Sequence, residues 1–396
     1  MIRVCHLGKY YPPAHGGIET HTRTLARAQA DLGLRVQVLC VNHRSTRTEI
    51  DHDGPIPITR IGRLIEIDKL DICPGLTRAI KRVEREVDIF HLQAPNPTML
   101  LALLAARPKI PTVVTYQSDV IRQRIREFLF RPFEKSAYRY VDRIMPTSPT
   151  YPAGSRFLRG YSDRVHVVPL GINLEEFIDP DAKLVEEARK IRAEHPGPIW
   201  MSCGRLVYYK GLLNAIRALS RVEGKLFLVG QGPERRSLER EAARLGVSDR
   251  VIFLGGLPDV RDLIPWYLAA TAFWFPSNAR SEAFGLAQVE AMACGCPVIN
   301  TFIPHSGVSW VSPHEQTGLT IAVDDPAALA DASNRLLREP GLRQRLSAAA
   351  RKRSIEEFNH KIMAERNIQV YEDLLLTNRI DESGIDRLPA SAAVEP

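Results

Sequence analysis

The 396-residue chain contains no run of 18 or more apolar residues, so no segment is long and apolar enough to cross a bilayer as a helix. Its amino terminus, Met1–Leu7, meets polar residues at Gly8 and Lys9, too soon for the apolar core of a secretory leader. The expectation is a cytoplasmic protein. Cysteine is scarce: six residues (5, 40, 73, 203, 294 and 296) without the spacing of a metal knuckle or a disulfide framework. They are expected to be reduced thiols, mostly buried, with Cys294-Gly-Cys296 a small-residue packing point. Neither zinc-finger spacing nor an RNA-recognition signature is present, so no nucleic-acid partner is expected. A hydrophobic share of 44% with 25% charged residues excludes a wholly disordered, collagenous or coiled-coil chain.

What is present has a regular plan. The length exceeds one ordinary core and predicts two domains. Short runs rich in Val, Ile and Phe alternate with helical-period segments. In the first half the runs are Ile2–Leu7, Arg35–Val41, Val87–Leu92, Thr112–Tyr116, Arg143–Pro146 and Val165–Val168. In the second they are Ile199–Cys203, Leu226–Val229, Val251–Leu254, Ala272–Phe275 and Val298–Asn300. Strands separated by helices of ten to twenty residues imply parallel sheets covered on both faces. The fold class is therefore α/β, with two doubly wound, Rossmann-like domains. The expected division is a first domain 1–170, a linker 171–197, a second domain 198–358, a final helix 359–377 and a disordered tail 378–396. Charge is uneven: residues 1–164 hold 26 Lys/Arg against 16 Asp/Glu (+10), and the remaining 27 against 30 give −3. The first half thus faces something anionic, such as a membrane surface or a phosphorylated substrate.

Four loops follow predicted strands, where doubly wound sheets bind ligands. Gly8–Glu19 carries Gly16-Gly17 ahead of a helix whose first N–H groups could meet an anion. Cys203–Gly211 offers Arg205 and Lys210, two cations able to hold a diphosphate. Gly230-Gln-Gly232-Pro is a tight turn that could border a nucleotide. Arg280–Pro297 places Glu282 on a loop and Glu290 eight residues on, in a helix opened by Gly285. One carboxylate could hold sugar hydroxyls and the other a ribose, with amides at Phe284–Leu286 facing phosphate. Each motif alone is equally an ordinary turn or a solvated helix face.

Together, Gly-Arg-Leu-Val-x-x-Lys-Gly, Gly-x-Gly-Pro and Glu-x-Phe-Gly-x-x-x-x-Glu-Ala-Met-Ala-x-Gly-x-Pro-Val resemble glycosyltransferase family 4, over nearly the whole chain. The resemblance implies the GT-B fold, two Rossmann-like domains facing a cleft, and retaining transfer from a nucleotide diphosphate sugar. It assigns Arg205 and Lys210 to the donor diphosphate, Glu290 to the ribose and Glu282 to sugar hydroxyls. Phe284, Gly285 and Leu286 supply backbone along the sugar and phosphate, and Gly17 approaches the phosphates. Gly230 and Gly232 border the donor, and the last helix crosses back to the first domain. The resemblance implies no cofactor and no metal beyond the nucleotide-sugar co-substrate. GDP-mannose-type donors are favoured over UDP-hexoses, and the acceptor is a polyprenyl-linked saccharide or glycolipid. The Asp-x-Asp at Asp51-His-Asp53 follows no buried strand and does not indicate a metal-dependent transferase of the other common fold.

Two departures stand out. Where relatives carry histidine, this chain has Gln93 and Gln117, and glutamine hydrogen-bonds without titrating. Gln117 is nevertheless placed with the catalytic set. The resemblance leaves two other classes open, a nucleotide-sugar epimerase of the same fold and a degenerate nucleotide-sugar binding subunit. The segment Ile121–Tyr140 sets Arg122, Arg124, Arg126 and Arg131 beside Phe128, Leu129, Phe130 and Phe133, with Pro132 expected to kink it. It fits peripheral docking on an anionic inner leaflet, and equally an ordinary helix with its aromatics in the core. His6 and His91 are expected to be satisfied locally at strand ends, and His305 and His314 to border the donor loop.

Overall fold

A computed structural model describes residues 1–14, 16–67, 70–119, 124–257 and 259–383, with the backbone alone for 124–130 and 378–383. Two sheets organise the chain. The first uses β1 (Arg3–Leu7), β2 (Arg35–Asn42), β3 (Glu49–Asp53), β4 (Ile56–Gly62), β7 (Ile89–Ala94), β8 (Thr112–Tyr116) and β9 (Arg143–Pro146). Their order is β3-β4-β2-β1-β7-β8-β9, parallel except for β3 against β4. A separate hairpin pairs β5 (Ile65–Ile67) with β6 (Leu70–Ile72). The second sheet is wholly parallel, β12-β11-β10-β13-β14-β15, built from β10 (Ile199–Cys203), β11 (Lys225–Val229), β12 (Val251–Gly255), β13 (Ala272–Phe275), β14 (Val298–Phe302) and β15 (Gly318–Ala322).

Strands covered on both faces need apolar side chains in both directions, and β1, β8, β10, β11 and β13 supply them as nearly unbroken buried runs. Trp200 and Trp274 stack at 5.0 Å between ring centres across β10 and β13. In each sheet the winding reverses direction beside the first strand, between β1 and β7 and between β10 and β13. Loops after those strands open at the switch points, where doubly wound sheets bind ligands. The two rows of strand ends face each other, since loops after β13 and β14 touch loops after β8 and β9.

Several expected elements differ. Val165–Val168 is extended and lies along β9, through a bridge from Val165 to Ile144 and backbone bonds from His166 N–H to Ile144 O (2.9 Å) and Val168 N–H to Pro146 O (3.1 Å), but is not a strand of its own. The stretch 171–197 holds two helices, Glu175–Ile178 and Ala182–Glu194, the second capped by the Asp181 carboxylate. Leu174, Phe177, Leu184, Ala188 and Ile191 pack within the second domain's core, so this stretch is part of that domain's packing. The final helix, His360–Ser383, lays Met363 and Ala364 on Leu25 and Ala28, and sinks Tyr371 and Leu374 into the first domain's core. It continues six residues into the stretch expected to be a disordered tail, and 384–396 lie outside the described residues. Pro132 sits inside a helix, Arg124–Ala137, without ending it. Residues 121–123 lie outside the description, as do the side chains of Arg124, Arg126, Phe128, Leu129 and Phe130. Of the remaining aromatics, Tyr138 is in the core and Phe133 is exposed. Among the described residues no helix is long and apolar enough to cross a membrane.

Candidate active site

The second domain's half is built on three backbone hydrogen bonds and two close glycine contacts. The Gly204 N–H donates to Val229 O (2.9 Å), Leu206 N–H to Gln231 O (3.0 Å) and Glu234 N–H to Leu206 O (3.1 Å). A Cβ on Gly230 would lie 2.0 Å from Gly204 O, and one on Gly232 2.3 Å from Leu206 O. These two glycines therefore let one loop press on the next, and that next loop carries Arg205. Arg205 is exposed, and its guanidinium has no protein partner among the described residues. Lys210 ends a tight turn (Tyr208–Lys210), and Gly211 follows at φ 64°, with no space for a side chain against Pro276 O.

Lys210 is brought onto Glu282, Nζ to Oε2 at 2.7 Å, with both side chains largely buried. The ammonium also lies over the Phe275 ring, 4.8 Å from its centre. Burial alone would lower the pKa of Lys210; the Glu282 charge and hydrogen bond outweigh it, and the pKa stands above its ordinary value. Gly285 caps the helix Leu286–Ala293 at φ 83°, a Cβ there falling 2.6 Å from the Phe275 ring. Phe284 turns inward, edge-on to Phe358 at 5.5 Å. Phe284 and Gly285 are both buried at the start of this helix, beside the half-buried Leu286. Gln288 fixes this backbone by donating to Phe284 O (2.7 Å).

Glu290 lies on the same helix, accepting from Tyr267 Oη–H at 2.8 Å. Burial raises its pKa to about 7, against the pull of Tyr267 and the Lys210 charge. A buried carboxyl with one oxygen spoken for keeps acceptor capacity for a hydroxyl pair. Lys210, Glu282 and Glu290 thus form one cluster, with Arg205 on the neighbouring loop.

The first domain supplies Gly17 and Gln117, neither of which bonds directly to that cluster among the described residues. Gly17 opens the helix Gly17–Asp31, and a Cβ there would meet nothing within 4 Å. Packing within the protein does not require a glycine at this exposed position. Gln117 follows β8, and its Nε2 approaches Gln93 Oε1 at 3.5 Å. Gln93 lies 3.3 Å from His91, whose ring bonds Tyr371 Oη (2.6 Å) and Thr115 Oγ1 (2.7 Å). His91 is satisfied, but partly from far away through Tyr371 of the last helix rather than only locally, whereas His6 bonds Gln29 through Nε2 and leaves Nδ1 without a protein partner. His305, at φ 58°, packs against Gly154 of the first domain. Asp53 is held by Arg23, Arg27 and the Tyr11 hydroxyl, and Asp51 by Arg60. Burial works to raise the Asp53 pKa, but those hydrogen bonds win and hold it at about 2. Sequence reasoning missed the pairing of Asp119 with Arg280, which meet across the cleft at 2.5 Å; Arg280 opens the loop that carries Glu282 and Asp119 follows Gln117 by two residues, but nothing local marks either as the other's partner.

Two facing Rossmann-like domains with this cluster at the second switch point define a GT-B glycosyltransferase, and the comparisons agree. Residues 16–171 match the glycosyl transferase 4-like domain, and residues 185–353 match glycosyl transferases group 1. The chain is 30% identical to the O-antigen chain mannosyltransferase C of Escherichia coli over 375 residues, 94% of this chain and 99% of that one. It is 31% identical to D-rhamnosyltransferase WbpZ of Pseudomonas aeruginosa over 348 residues, 86% and 87% of the two chains. Among solved structures, sucrose-phosphate synthase from Thermosynechococcus elongatus superposes with a TM-score of 0.77 at 25% identity, covering 95% of this chain and all of that one. Anabaena HepE in complex with UDP shares the fold at a TM-score of 0.76 and 17% identity, covering 94% of this chain and 100% of its own. The chain belongs to glycosyltransferase family 4 and is an enzyme of sugar transfer.

Proposed function

We propose that the protein transfers a hexose, mannose or a related deoxyhexose, from a nucleotide diphosphate sugar to a lipid-linked saccharide, with retention at the anomeric carbon. The observation that carries this reading is the Lys210–Glu282 pair beside Glu290, a cation flanked by two carboxylates at one helix start. In this reading Arg205 and Lys210 take the charge that grows on the leaving diphosphate, doing electrostatically what a metal does elsewhere. Glu282 accepts hydroxyls of the transferred sugar, and Glu290 those of the ribose. Amides at Phe284–Leu286 face the phosphates, and Gly17 allows close backbone approach from the other domain. Gln117 donates to the sugar without exchanging a proton. The bond that breaks joins the anomeric carbon to the diphosphate, the bond that forms joins it to the acceptor oxygen, and the departing phosphate takes the acceptor's proton.

The mannosyl and rhamnosyl transfers named for the two relatives favour a GDP-linked donor and a surface-polysaccharide acceptor. The UDP-bound structural neighbour of this chain keeps a UDP-hexose as next choice. Thermal shift against UDP-, GDP-, ADP- and dTDP-sugars, with Lys210→Ala and Glu290→Ala alongside, tests it. A donor at a hundred times its Kd should stabilise by about 2.7 kcal/mol. One nucleotide class should shift the wild type and neither variant; no shift with any class overturns the reading. Gln117 in place of a titrating side chain favours one competitor, a subunit that binds sugar nucleotide without turnover. Slow donor hydrolysis by the wild type excludes that competitor, and product analysis excludes an epimerase.

A further inference from the structure

Beyond the groups that would touch the donor, the seam between the domains holds one side-chain ion pair that ties the two halves of the site. Arg280 Nη2 donates to Asp119 Oδ2 at 2.5 Å, and both side chains are about four-fifths buried, with 22% and 19% exposure. Each end is braced from the first domain. Asp119 Oδ1 accepts from Tyr116 Oη (2.6 Å) and Ser155 Oγ (2.8 Å), while the Asp119 N–H donates to Tyr151 Oη (2.7 Å). Arg280 lies 4.4 Å over the Tyr151 ring and donates through Nη1 to Gly154 O (2.6 Å). The Arg280 side chain belongs to the second domain, and every brace around it belongs to the first.

Its position in the chain gives the pair its meaning. Asp119 is two residues after Gln117, and Arg280 two residues before Glu282. Glu282 sits beyond Phe275, the last residue of β13, on a loop with no strand of its own. Such a loop needs an outside reference if its carboxylate is to stay within a fraction of an ångström of a productive pose. We infer that the Arg280–Asp119 pair is that reference, a positioning pair that sets Glu282 of one domain against Gln117 of the other. The neighbouring seam supports it: Thr150 Oγ1 donates to Ser306 O (2.9 Å), Ser306 Oγ donates to Glu282 O (2.5 Å), and Ala283 is buried in the first domain's core. A Cβ on Gly154 would fall 2.3 Å from His305 Cβ, and one on Gly307 2.8 Å from Ser148. These glycines permit the close contact, but the ion pair alone joins charged side chains there among the described residues.

The inference rests on the transfer reading, so its experiment has one arm without turnover. Arg280→Gln, Asp119→Asn and the double variant are compared with the wild type in the intact chain. Asp119→Asn keeps the hydrogen bonds from Tyr116 and Ser155, which protects folding. In kinetics each single variant should lower kcat by roughly ten- to a hundredfold, with donor Kd changed far less, because Arg205, Lys210 and Glu290, which hold the diphosphate and ribose in this reading, lie within the second domain. The double variant should be no slower than either single one, since both remove the same contact, and Arg280→Lys should recover part of the loss. Multiplying losses, an unchanged kcat, or a donor Kd that weakens in step would overturn the pair's role. Small-angle scattering of the ligand-free proteins should show a larger radius of gyration in both single variants. If the wild type turns over no donor, the transfer reading fails on its own and scattering alone judges the pair; an unchanged radius sinks it.

Discussion

Lys210 shows how one residue depends on its partner. Stripping Glu282 to glutamine leaves a mostly buried ammonium beside an aromatic ring, and breaking such a pair costs about 3 kcal/mol. Lys210→Met with Glu282→Gln should regain most of that in urea unfolding while remaining inactive, separating stability from chemistry. Glu290 makes a second case. With a pKa near 7 from burial, its charged form dominates only above neutrality. If the ribose hydroxyls bind the carboxylate, donor affinity should fall about tenfold per pH unit below 7 and level off above it. Titration calorimetry from pH 5.5 to 8.5 reads this, and Glu290→Gln should be flat. The two glutamates were legible because their spacing around Gly285 forms a motif. The pairing of Asp119 with Arg280 was not, because a contact spanning 161 positions leaves no local pattern.

At the scale of elements, buried parallel strands were easy to find because both faces are apolar over unbroken runs. β4 escaped because Ile56-Pro-Ile-Thr-Arg-Ile-Gly mixes a proline and an arginine into a strand beside the exposed β3. Arg60 is nevertheless buried there, donating to Tyr11 O and Pro12 O and so closing the loop that leads to Gly17. β3 and the β5–β6 hairpin are short and exposed, and depend on pairing for their conformation. The crossing helix, expected over 359–377, runs from His360 to Ser383, and its anchor was hidden. Tyr371 accepts from Gln29 (2.9 Å) and contacts His91 (2.6 Å), partners 342 and 280 positions away. Tyr371→Phe should cost about 2 kcal/mol, by leaving two buried polar groups short of a partner. Thermal unfolding measures it, and a loss within the noise would mean that the hydroxyl is dispensable.

For the whole molecule, acid is the informative stress. His6, His21 and His91 are buried together in the first domain; burial lowers His6 to about 4 and His21 to about 3, and takes His91 well below its ordinary value. Both ring nitrogens of His21 lack a protein partner. The folded state therefore refuses protons that the unfolded chain accepts near pH 6.5. The stability these groups give is present above that pH and drains as pH falls toward 4. With three protons at stake, the slope approaches about 4 kcal/mol per pH unit. Chemical unfolding between pH 7 and 5 checks this, and His21→Leu should remove about a third of the slope and raise stability at pH 5.

The crossing helix also sets a schedule for synthesis. The first domain's core is closed by Tyr371 and Leu374, which leave the ribosome some 200 residues after Val168, the last residue of that core before the crossing helix. At about 5–20 residues per second, this is an interval of roughly 10–40 s. Throughout it, the half of the protein made first waits unfinished, with Gln29 and His91 short of their tyrosine. The half made second can complete its core before residue 360 appears. The last domain to start is thus the first to be ready, and the nascent first domain is the stage at which a chaperone would have most to hold.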